Sequence, residues 1–276
     1  MMMKNQFAVR AHDLASKTSI EKLLEAVGEY DFKKIQFVFP KALDPYSYDE
    51  EFVKRVSSSL KKAGVSVSML GAYFNMVHSD PEVVRKGILN FYDNLRIAHY
   101  FGHAYVGSET GSFNDSPWIY HPKNRTEEGY QQSKAVWVEL AKFAEEVDEH
   151  ILIEPAFGHV MWDAKTLKRL IDEISSKHVH VTLDLYNLLD PSNFEKRDEI
   201  FEEAVKLFNE EIKVIHLKDA TIKDGKMVQL DPGFGEFHYE QMLKLIKTYC
   251  PKAVLTFEGV KKPGIAQSIE ILNTKM

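Results

Sequence analysis

Four side chains able to bind a metal stand at the ends of short apolar segments in the second half of this 276-residue chain. These four candidate ligands are Glu154, Asp184, His216 and Glu258. Three carboxylates and one imidazole suit a divalent ion such as Mn²⁺, Zn²⁺, Co²⁺ or Mg²⁺. Any one of the carboxylates alone could instead cap a helix or pair with a lysine. Four in succession favour one shared site, and the sequence therefore predicts a single divalent metal ion.

The spacing of the candidate ligands indicates which elements position them. Successive ligands are roughly thirty to forty positions apart, which is the length of one strand, one helix and two loops of a βαβ unit. Apolar runs of this kind between helical segments are typical of strands buried on both faces of a parallel sheet. Along the whole chain, strands and helices alternate eight times without a linker of domain-boundary character. We therefore predict the α/β class and a (β/α)8 TIM barrel, formed as a single domain by residues 1–276.

A doubly wound open sheet would show the same alternation of strands and helices. The closed barrel is favoured because the candidate ligands follow the last four strands evenly. A barrel brings such strand ends together, whereas an open sheet would spread them out. In the first half, we expect strands at 7–13, 35–40 and 65–71, and a fourth that opens into a Gly/Ser-rich loop after residue 104. The irregular stretch 112–125 is expected to form a lid or a substrate wall.

Composition restricts the class of protein. Hydrophobic residues make up 44% of the chain and charged residues 28%, as in a soluble enzyme with a sizeable core. The formal net charge of -6 argues against a nucleic acid partner, since phosphate binding depends on clustered Lys and Arg. The lone Cys250 cannot form an intramolecular disulfide and suits a reducing compartment. No apolar run approaches the about 20 residues that span a bilayer, and no signal-type segment follows Met1–Lys4, so we expect a cytoplasmic protein.

Four motifs carry a resemblance to a known superfamily. They are Ile-Glu-Pro at 153–155, Leu-Asp-Leu-Tyr-Asn at 183–187, Ile-His-Leu-Lys-Asp at 215–219 and Phe-Glu-Gly at 257–259. Through them the chain resembles the sugar phosphate isomerase/epimerase superfamily, which has the xylose isomerase-like TIM barrel. Its relatives include ketose 3-epimerases, inosose dehydratases and AP endonuclease family 2. Segments 73–75, 78–81 and 106–111 extend the likeness over most of the chain; the motifs are specific for the superfamily and weak for the substrate.

The resemblance implies that the four candidate ligands hold one divalent ion. It also implies that Glu154 and Glu258 are catalytic, one removing a proton beside the substrate carbonyl and the other returning it. The expected enzyme is a metal-dependent isomerase or epimerase of a small sugar or sugar phosphate, acting through an ene-diolate. Whether the sugar is phosphorylated stays open.

Three alternatives use the same barrel. A lyase could dehydrate a cyclic polyol or keto acid on the same metal site, because an ene-diolate can also expel a β-hydroxyl. A phosphodiesterase of the AP endonuclease type would need further histidines for a trinuclear zinc cluster, and the early strand ends offer Tyr73, Asn75 and Glu109 in their place. A non-catalytic sugar-binding barrel would bind its ligand without exchanging protons.

Substrate contacts are expected from polar or aromatic side chains near the strand ends. The candidates are His12, Tyr73, Asn75, Glu109, Trp118, Asn187, Lys218 and Asp219. Asn187 stands where the epimerase branch usually has a histidine. The contact to a substrate hydroxyl at this position is therefore expected to differ from that of the epimerases. Lys218 and Asp219 follow His216 and can orient the ligands, although Lys218 could equally be a solvated surface charge. We expect a small carbohydrate as ligand and no nucleic acid or membrane partner; association into homo-oligomers stays open.

Overall fold

A computed structural model of the protein describes residues 6–275. Eight parallel strands close into a barrel in the order β1-β10-β7-β6-β5-β4-β3-β2. The barrel strands are β1 Phe7–Arg10, β2 Lys34–Phe37, β3 Ser66–Gly71, β4 Tyr105–Glu109, β5 Ile151–Glu154, β6 Val179–Asp184, β7 Ile212–Leu217 and β10 Val254–Phe257. Strand β10 pairs with β1 in parallel, with Phe7 opposite Leu255, and this pairing closes the sheet. The predicted TIM barrel is confirmed.

Helices surround the barrel. They are α1 Ala11–Leu14, α2 Ile20–Gly28, α3 Phe39–Ala42, α4 Glu50–Lys62, α5 Pro81–Ile97, α6 Glu127–Glu146, α7 Ala164–Ile174, α8 Arg197–Phe208, α9 Tyr239–Tyr249 and α10 Lys262–Lys275. Several begin at side-chain caps: the Ser19 side chain accepts from the Lys22 amide and that of Asp49 from the Phe52 amide. Within residues 6–275, none of these helices combines the length and hydropathy needed to cross a membrane.

The barrel interior is filled by side chains, and this filling explains where the candidate ligands point. Met69, Leu152 and Val214 form a small buried cluster inside the barrel. The Thr182 hydroxyl reaches Met69 Sδ at 3.9 Å. Successive side chains of a strand alternate between its two faces. A residue two positions after Leu152, Thr182 or Val214 therefore also points inward, one layer nearer the carboxyl end of the barrel.

The outer core lies between the strands and the helices. Phe91, Trp137 and Leu140 are fully buried there, and the Phe91 and Trp137 rings meet edge to face at 6.1 Å between centroids. Cys250 follows α9 as a buried free cysteine.

Three local features differ from the sequence prediction. The first strand ends at Arg10, and His12 lies in the short helix α1 instead of on an extended strand. The second strand, expected at 35–40, ends at Phe37, because Phe39 and Pro40 begin the short helix α3. The chain after β7 forms an antiparallel hairpin of β8 Asp219–Lys223 and β9 Lys226–Leu230, which the sequence analysis does not predict. Its two turn residues, Asp224 and Gly225, have φ angles of 52° and 70°, as a type I′ turn requires.

A histidine cluster occupies the amino-terminal end of the barrel, opposite the candidate ligands. His180 Nε2 lies 3.0 Å from His150 Nδ1, and His180 Nδ1 lies 3.0 Å from Glu211 Oε2. The rings of His150 and His178 stack at 4.8 Å. Burial lowers the pKa of the His180 imidazole to about 4 and also lowers that of His150. Both rings are therefore neutral at pH 7.

This cluster makes folding stability fall with acid. An unfolded histidine has a pKa near 6.5, so between about pH 6.5 and 4 the unfolded chain binds a proton that folded His180 does not. Above about pH 6.5 the protonation of His180 does not change the free energy of unfolding. As the pH falls toward 4, the free energy of unfolding decreases by at most about 1.4 kcal/mol per pH unit. Urea unfolding at several pH values from 4.5 to 7.5 gives the free energy of unfolding as a function of pH. Its slope against pH should be shallower for His180→Gln than for the wild type. The exposed His99→Gln variant is the control, and equal slopes in all three proteins would contradict the prediction.

Candidate metal centre

The four candidate ligands converge at the carboxyl end of the barrel. Glu154 and Asp184 are the last residues of β5 and β6, His216 is the penultimate residue of β7, and Glu258 directly follows β10. Asp184 pairs in register with His216. Ligand atoms of Glu154, Asp184 and His216 lie within 4.8 Å of one another, and all three residues are buried.

One nitrogen of His216 is the centre of this arrangement. Its Nδ1 atom lies 2.6 Å from Glu258 Oε2, 3.3 Å from Glu154 Oε1 and 3.6 Å from Asp184 Oδ2. Glu258 therefore completes the set through its contact with the imidazole. Three carboxylates thus face one imidazole nitrogen.

Gln36 fixes the orientation of the His216 ring. His216 Nε2 lies 2.9 Å from Gln36 Oε1, while the Gln36 amide donates to the Tyr73 hydroxyl at 2.8 Å. An amide oxygen only accepts, so Nε2–H donates to it, and the ring is held with Nδ1 toward the three carboxylates. Gln36 is not among the residues predicted from the sequence, although a glutamine inside an apolar strand is a usable signal. Tyr73, a predicted substrate contact, lies in this supporting layer.

The cluster fits a divalent cation. Asp184 Oδ2 and Glu258 Oε2 are buried and have no aligned hydrogen bond within residues 6–275. Each nevertheless lies 2.6 Å from a positive or protonatable group, Lys218 Nζ and His216 Nδ1 respectively. Buried carboxylates need positive charge beside them, and a divalent ion would supply it to both oxygens.

The charges of the cluster shift one another strongly. Burial by itself lowers the pKa of His216, but the Glu258 and Glu154 carboxylates outweigh it and raise that pKa well above its usual value. Burial by itself raises the pKa of Glu258, and His216 and Lys218 instead hold it well below its usual value. The pKa of the imidazole is raised and that of the carboxyl is lowered, so His216 and Glu258 each stabilise the charged form of the other.

Asn187 and Glu109 form the side of the site nearest β4. Asn187 Nδ2 donates to Glu154 Oε1 at 2.7 Å and reaches Glu109 Oε1 at 3.5 Å. Glu109 ends β4 and pairs in register with Glu154. Burial raises the pKa of the Glu109 carboxyl to about 7, so this group can gain or lose a proton near neutral pH.

His159 lies near Glu109 and is absent from the sequence prediction. Its imidazole is buried, and the charge of His159 opposes the rise in the pKa of Glu109. His159 Nε2 lies 3.1 Å from the Trp118 carbonyl oxygen, and the Trp118 ring meets it edge-on at 6.0 Å. Trp118 therefore packs the 112–125 loop onto the β5 side of the barrel.

Lys218 and Arg10 bring positive charge to the ligands. Lys218 is only 6% exposed, so it is a buried charge and not a solvated one. Arg10 Nη1 lies 2.6 Å from Glu258 Oε1, and Arg10 Nη2 lies 2.7 Å from Asp13 Oδ1. Asp13 also accepts from the Gly259 amide at 2.7 Å. The ends of β1 and β10 are thereby tied together beside Glu258.

Three other predicted contacts are placed outside the ligand cluster. The Asn75 amide donates to the Ser112 carbonyl at 2.8 Å and accepts from the Ser112 amide at 3.1 Å, which joins two loops. The Asp219 carboxylate accepts from the amides of Ala220, Gly233 and Phe237. These bonds favour structural roles for Asn75 and Asp219. His12 Nδ1 is buried without a hydrogen bond to any described residue.

The fold and this cluster define an α/β barrel with a carboxylate and imidazole site where the last four barrel strands end. A family model described as xylose isomerase-like TIM barrel matches residues 24–275. The chain belongs to this xylose isomerase-like TIM-barrel family, which confirms the resemblance seen in its motifs. No curated protein matches the chain.

Solved structures share the fold over nearly the whole chain. The IOLI protein with a binding zinc atom has a TM-score of 0.74 and 15% identity, with 98% of this chain and 95% of that chain covered. D-psicose 3-epimerase in the presence of D-fructose has a TM-score of 0.68 and 15% identity, with 96% and 89% covered. The probable 3-DHS dehydratase AsbF from Bacillus anthracis has a TM-score of 0.74 and 12% identity, with 97% and 98% covered.

The geometry predicts about one divalent ion per chain in protein purified without chelator. Asp184→Ala should lose the ion, because it removes a buried carboxylate that faces His216 Nδ1. Elemental analysis measures the content, and Asp172→Ala on the surface of α7 is the matched control that should keep the metal. Two or three zinc ions would favour the phosphodiesterase alternative, and no ion in the wild type after reconstitution would contradict the site.

Gln36→Leu should weaken metal binding by about 10-fold to 100-fold, because the variant no longer fixes the tautomer of His216. Isothermal titration with Mn²⁺ measures the change. The exposed Gln131→Leu variant, which loses only a bond to Glu127, should bind as the wild type does. An unchanged affinity in Gln36→Leu would show that the ring is held by other contacts.

Proposed function

We propose that this protein is a divalent-metal-dependent isomerase or epimerase that acts on a small sugar or sugar phosphate. The observation that carries the proposal is the approach of Glu154 and Glu258 to His216 Nδ1, at 3.3 Å and 2.6 Å, beside the buried Asp184. The similarity to a ketose 3-epimerase supports this class of substrate. The family membership supports the same chemistry.

The four candidate ligands would hold the ion, which when bound supplies Lewis acidity that makes a proton beside a carbonyl removable. Glu154 and Glu258 approach from β5 and β10, which are not neighbours in the barrel. One carboxylate removes the proton and the other returns it, through an ene-diolate. Return on the opposite face gives an epimer, and return at the adjacent carbon gives an isomer.

Neighbouring side chains hold the two glutamates in place before substrate binds. Asn187 donates to Glu154 at 2.7 Å, and Arg10 donates to Glu258 at 2.6 Å. Groups fixed in this way lose little freedom during the reaction, which is how a site gains rate from positioning.

The loop 112–125 is bonded to the barrel beside this site. Arg125 donates to the carbonyl oxygens of His159 and Phe157 at 2.9 Å and 2.5 Å. Asn124 donates to the Gly158 carbonyl oxygen at 2.6 Å. The loop is thus tied to the segment after β5 and is better described as a fixed wall than as a free lid.

A lyase at the same site is the second candidate function. Dehydration requires an acid that protonates the leaving hydroxyl, in addition to the base that removes the proton. The raised pKa of Glu109, about 7, makes that carboxyl suitable for the role. The similarity to a probable dehydratase also favours it. Loss of water from the product would distinguish the lyase from an epimerase.

Glu154→Gln and Glu258→Gln should each reduce turnover by about 10²-fold to 10⁴-fold, because an amide cannot accept the proton. The measurement is deuterium incorporation from D₂O into a panel of ketoses and ketose phosphates, followed by mass spectrometry. Glu173→Gln, which lies on the outer surface of α7, is the control and should retain full activity. Both variants retaining activity would rule out the two-glutamate mechanism. Sugar binding by the wild type without any exchange would favour a non-catalytic binding protein.

A further inference from the structure

We propose that Lys218 is a built-in counter-cation of the metal centre. It stabilises the ligand cluster when no ion is bound, and it limits the affinity for the ion because both cations use Asp184. The inference rests on the metal site of the proposed function and concerns how tightly that site binds its ion.

The position of Lys218 follows from the strand. It comes two residues after His216, so both side chains point into the barrel. Lys218 Nζ lies 2.6 Å from Asp184 Oδ2, 3.3 Å from Glu258 Oε1 and 3.5 Å from Asn187 Oδ1. The backbone is held as well, since the Tyr239 hydroxyl donates to the Lys218 carbonyl oxygen at 2.7 Å. At 6% exposure, Lys218 is buried together with these partners.

The ammonium and a metal ion would use the same oxygen atom. Asp184 Oδ2 contacts Lys218 at 2.6 Å and is also the oxygen that faces His216 Nδ1 at 3.6 Å. Lys218 is therefore at the edge of the coordination site and not in an outer layer. A metal ion that binds Asp184 Oδ2 must share it with the ammonium or displace the ammonium.

The charges in the cluster determine how Lys218 changes both its stability without metal and its affinity for a metal ion. Buried carboxylates that face one another repel unless a cation lies among them. Arg10 is already shared between Asp13 and Glu258, so the Lys218 ammonium, at 2.6 Å, is the cationic group nearest to Asp184 Oδ2, with His216 Nδ1 farther away at 3.6 Å. Without metal, Lys218 therefore stabilises the cluster. When a divalent ion enters, the same positive charge repels it.

A lysine with a purely structural role would behave differently. Its removal would lower stability by a similar amount with and without metal, and the disordered ligands would bind the ion more weakly. A counter-cation instead gives opposite signs in two measurements, lower stability without metal and tighter binding of metal.

The test uses Lys218→Met, which is neutral and of similar length, in the full chain after metal removal. Titration with Mn²⁺ should give an affinity about tenfold or more above that of the wild type. Thermal unfolding of the metal-free variant should occur several degrees below the wild type, and saturating Mn²⁺ should close most of this gap. If the metal-free variant does not stay folded, retention of Mn²⁺ against increasing chelator gives the affinity comparison in the loaded protein.

Two further variants act as controls. Lys134→Met removes an ion pair of 2.8 Å with Glu173 on the protein surface, and should leave Mn²⁺ affinity unchanged. Lys218→Arg keeps the positive charge and should bind Mn²⁺ no more tightly than the wild type. This second control separates the effect of charge from that of side-chain shape.

Equal or weaker Mn²⁺ binding by Lys218→Met, when the wild type binds the ion, would overturn the counter-cation and leave the proposed metal enzyme intact. If the wild type binds none of Mn²⁺, Zn²⁺, Co²⁺ and Mg²⁺, the proposed function fails first and the counter-cation with it. The wild-type titration therefore tells the two failures apart.

Discussion

The structure depends on the burial of several carboxylates around one imidazole nitrogen. Charges in such a place are tolerated only when cations and hydrogen-bond donors surround them. His216 Nδ1 provides the common contact, and Lys218 and Arg10 provide positive charge at Asp184 and Glu258. The arrangement leaves carboxylate oxygens without aligned donors. Apolar residues would serve the stability of the fold better, so the cluster supports the cation-binding role proposed above.

The barrel holds this unfavourable cluster on a rigid support. Met69, Leu152 and Val214 fill the interior below it, so the ligands rest on a packed layer and not on a water-filled pore. Because successive side chains of a strand point to opposite faces, the inward-pointing candidate ligands lie in one layer above this filling. The loop 112–125 is bonded to the segment after β5, because Arg125 donates to the carbonyl oxygens of His159 and Phe157.

The fold and the convergence of the four candidate ligands could be predicted because both depend on local periodicity. Apolar runs ending in a polar residue identify strand ends, and eight repeats identify a barrel. Gln36 interrupts an apolar strand and could be noticed, but its partner could not be predicted, because the contact with His216 joins residues 180 positions apart. Asn75 and Asp219 look like site residues in sequence, yet they bond to loop amides, a role that polar side chains in turns share with functional ones. The hairpin after β7 had a usable signal in Asp224-Gly225, but the strands beside it have little apolar character.

The surroundings of the two glutamates differ in a way that bears on the proposed reaction. Glu258 lies against Arg10 and Lys218, whereas Glu154 accepts a bond from the neutral amide of Asn187. Cations near a carboxylate lower its affinity for a proton, and the pKa of Glu258 is held well below its usual value by His216 and Lys218 despite its burial. In a reaction that removes a proton with one glutamate and returns it with the other, the two carboxylates therefore work in different electrostatic surroundings. The difference comes from Arg10 at the end of β1 and Lys218 directly after β7, which both lie against Glu258.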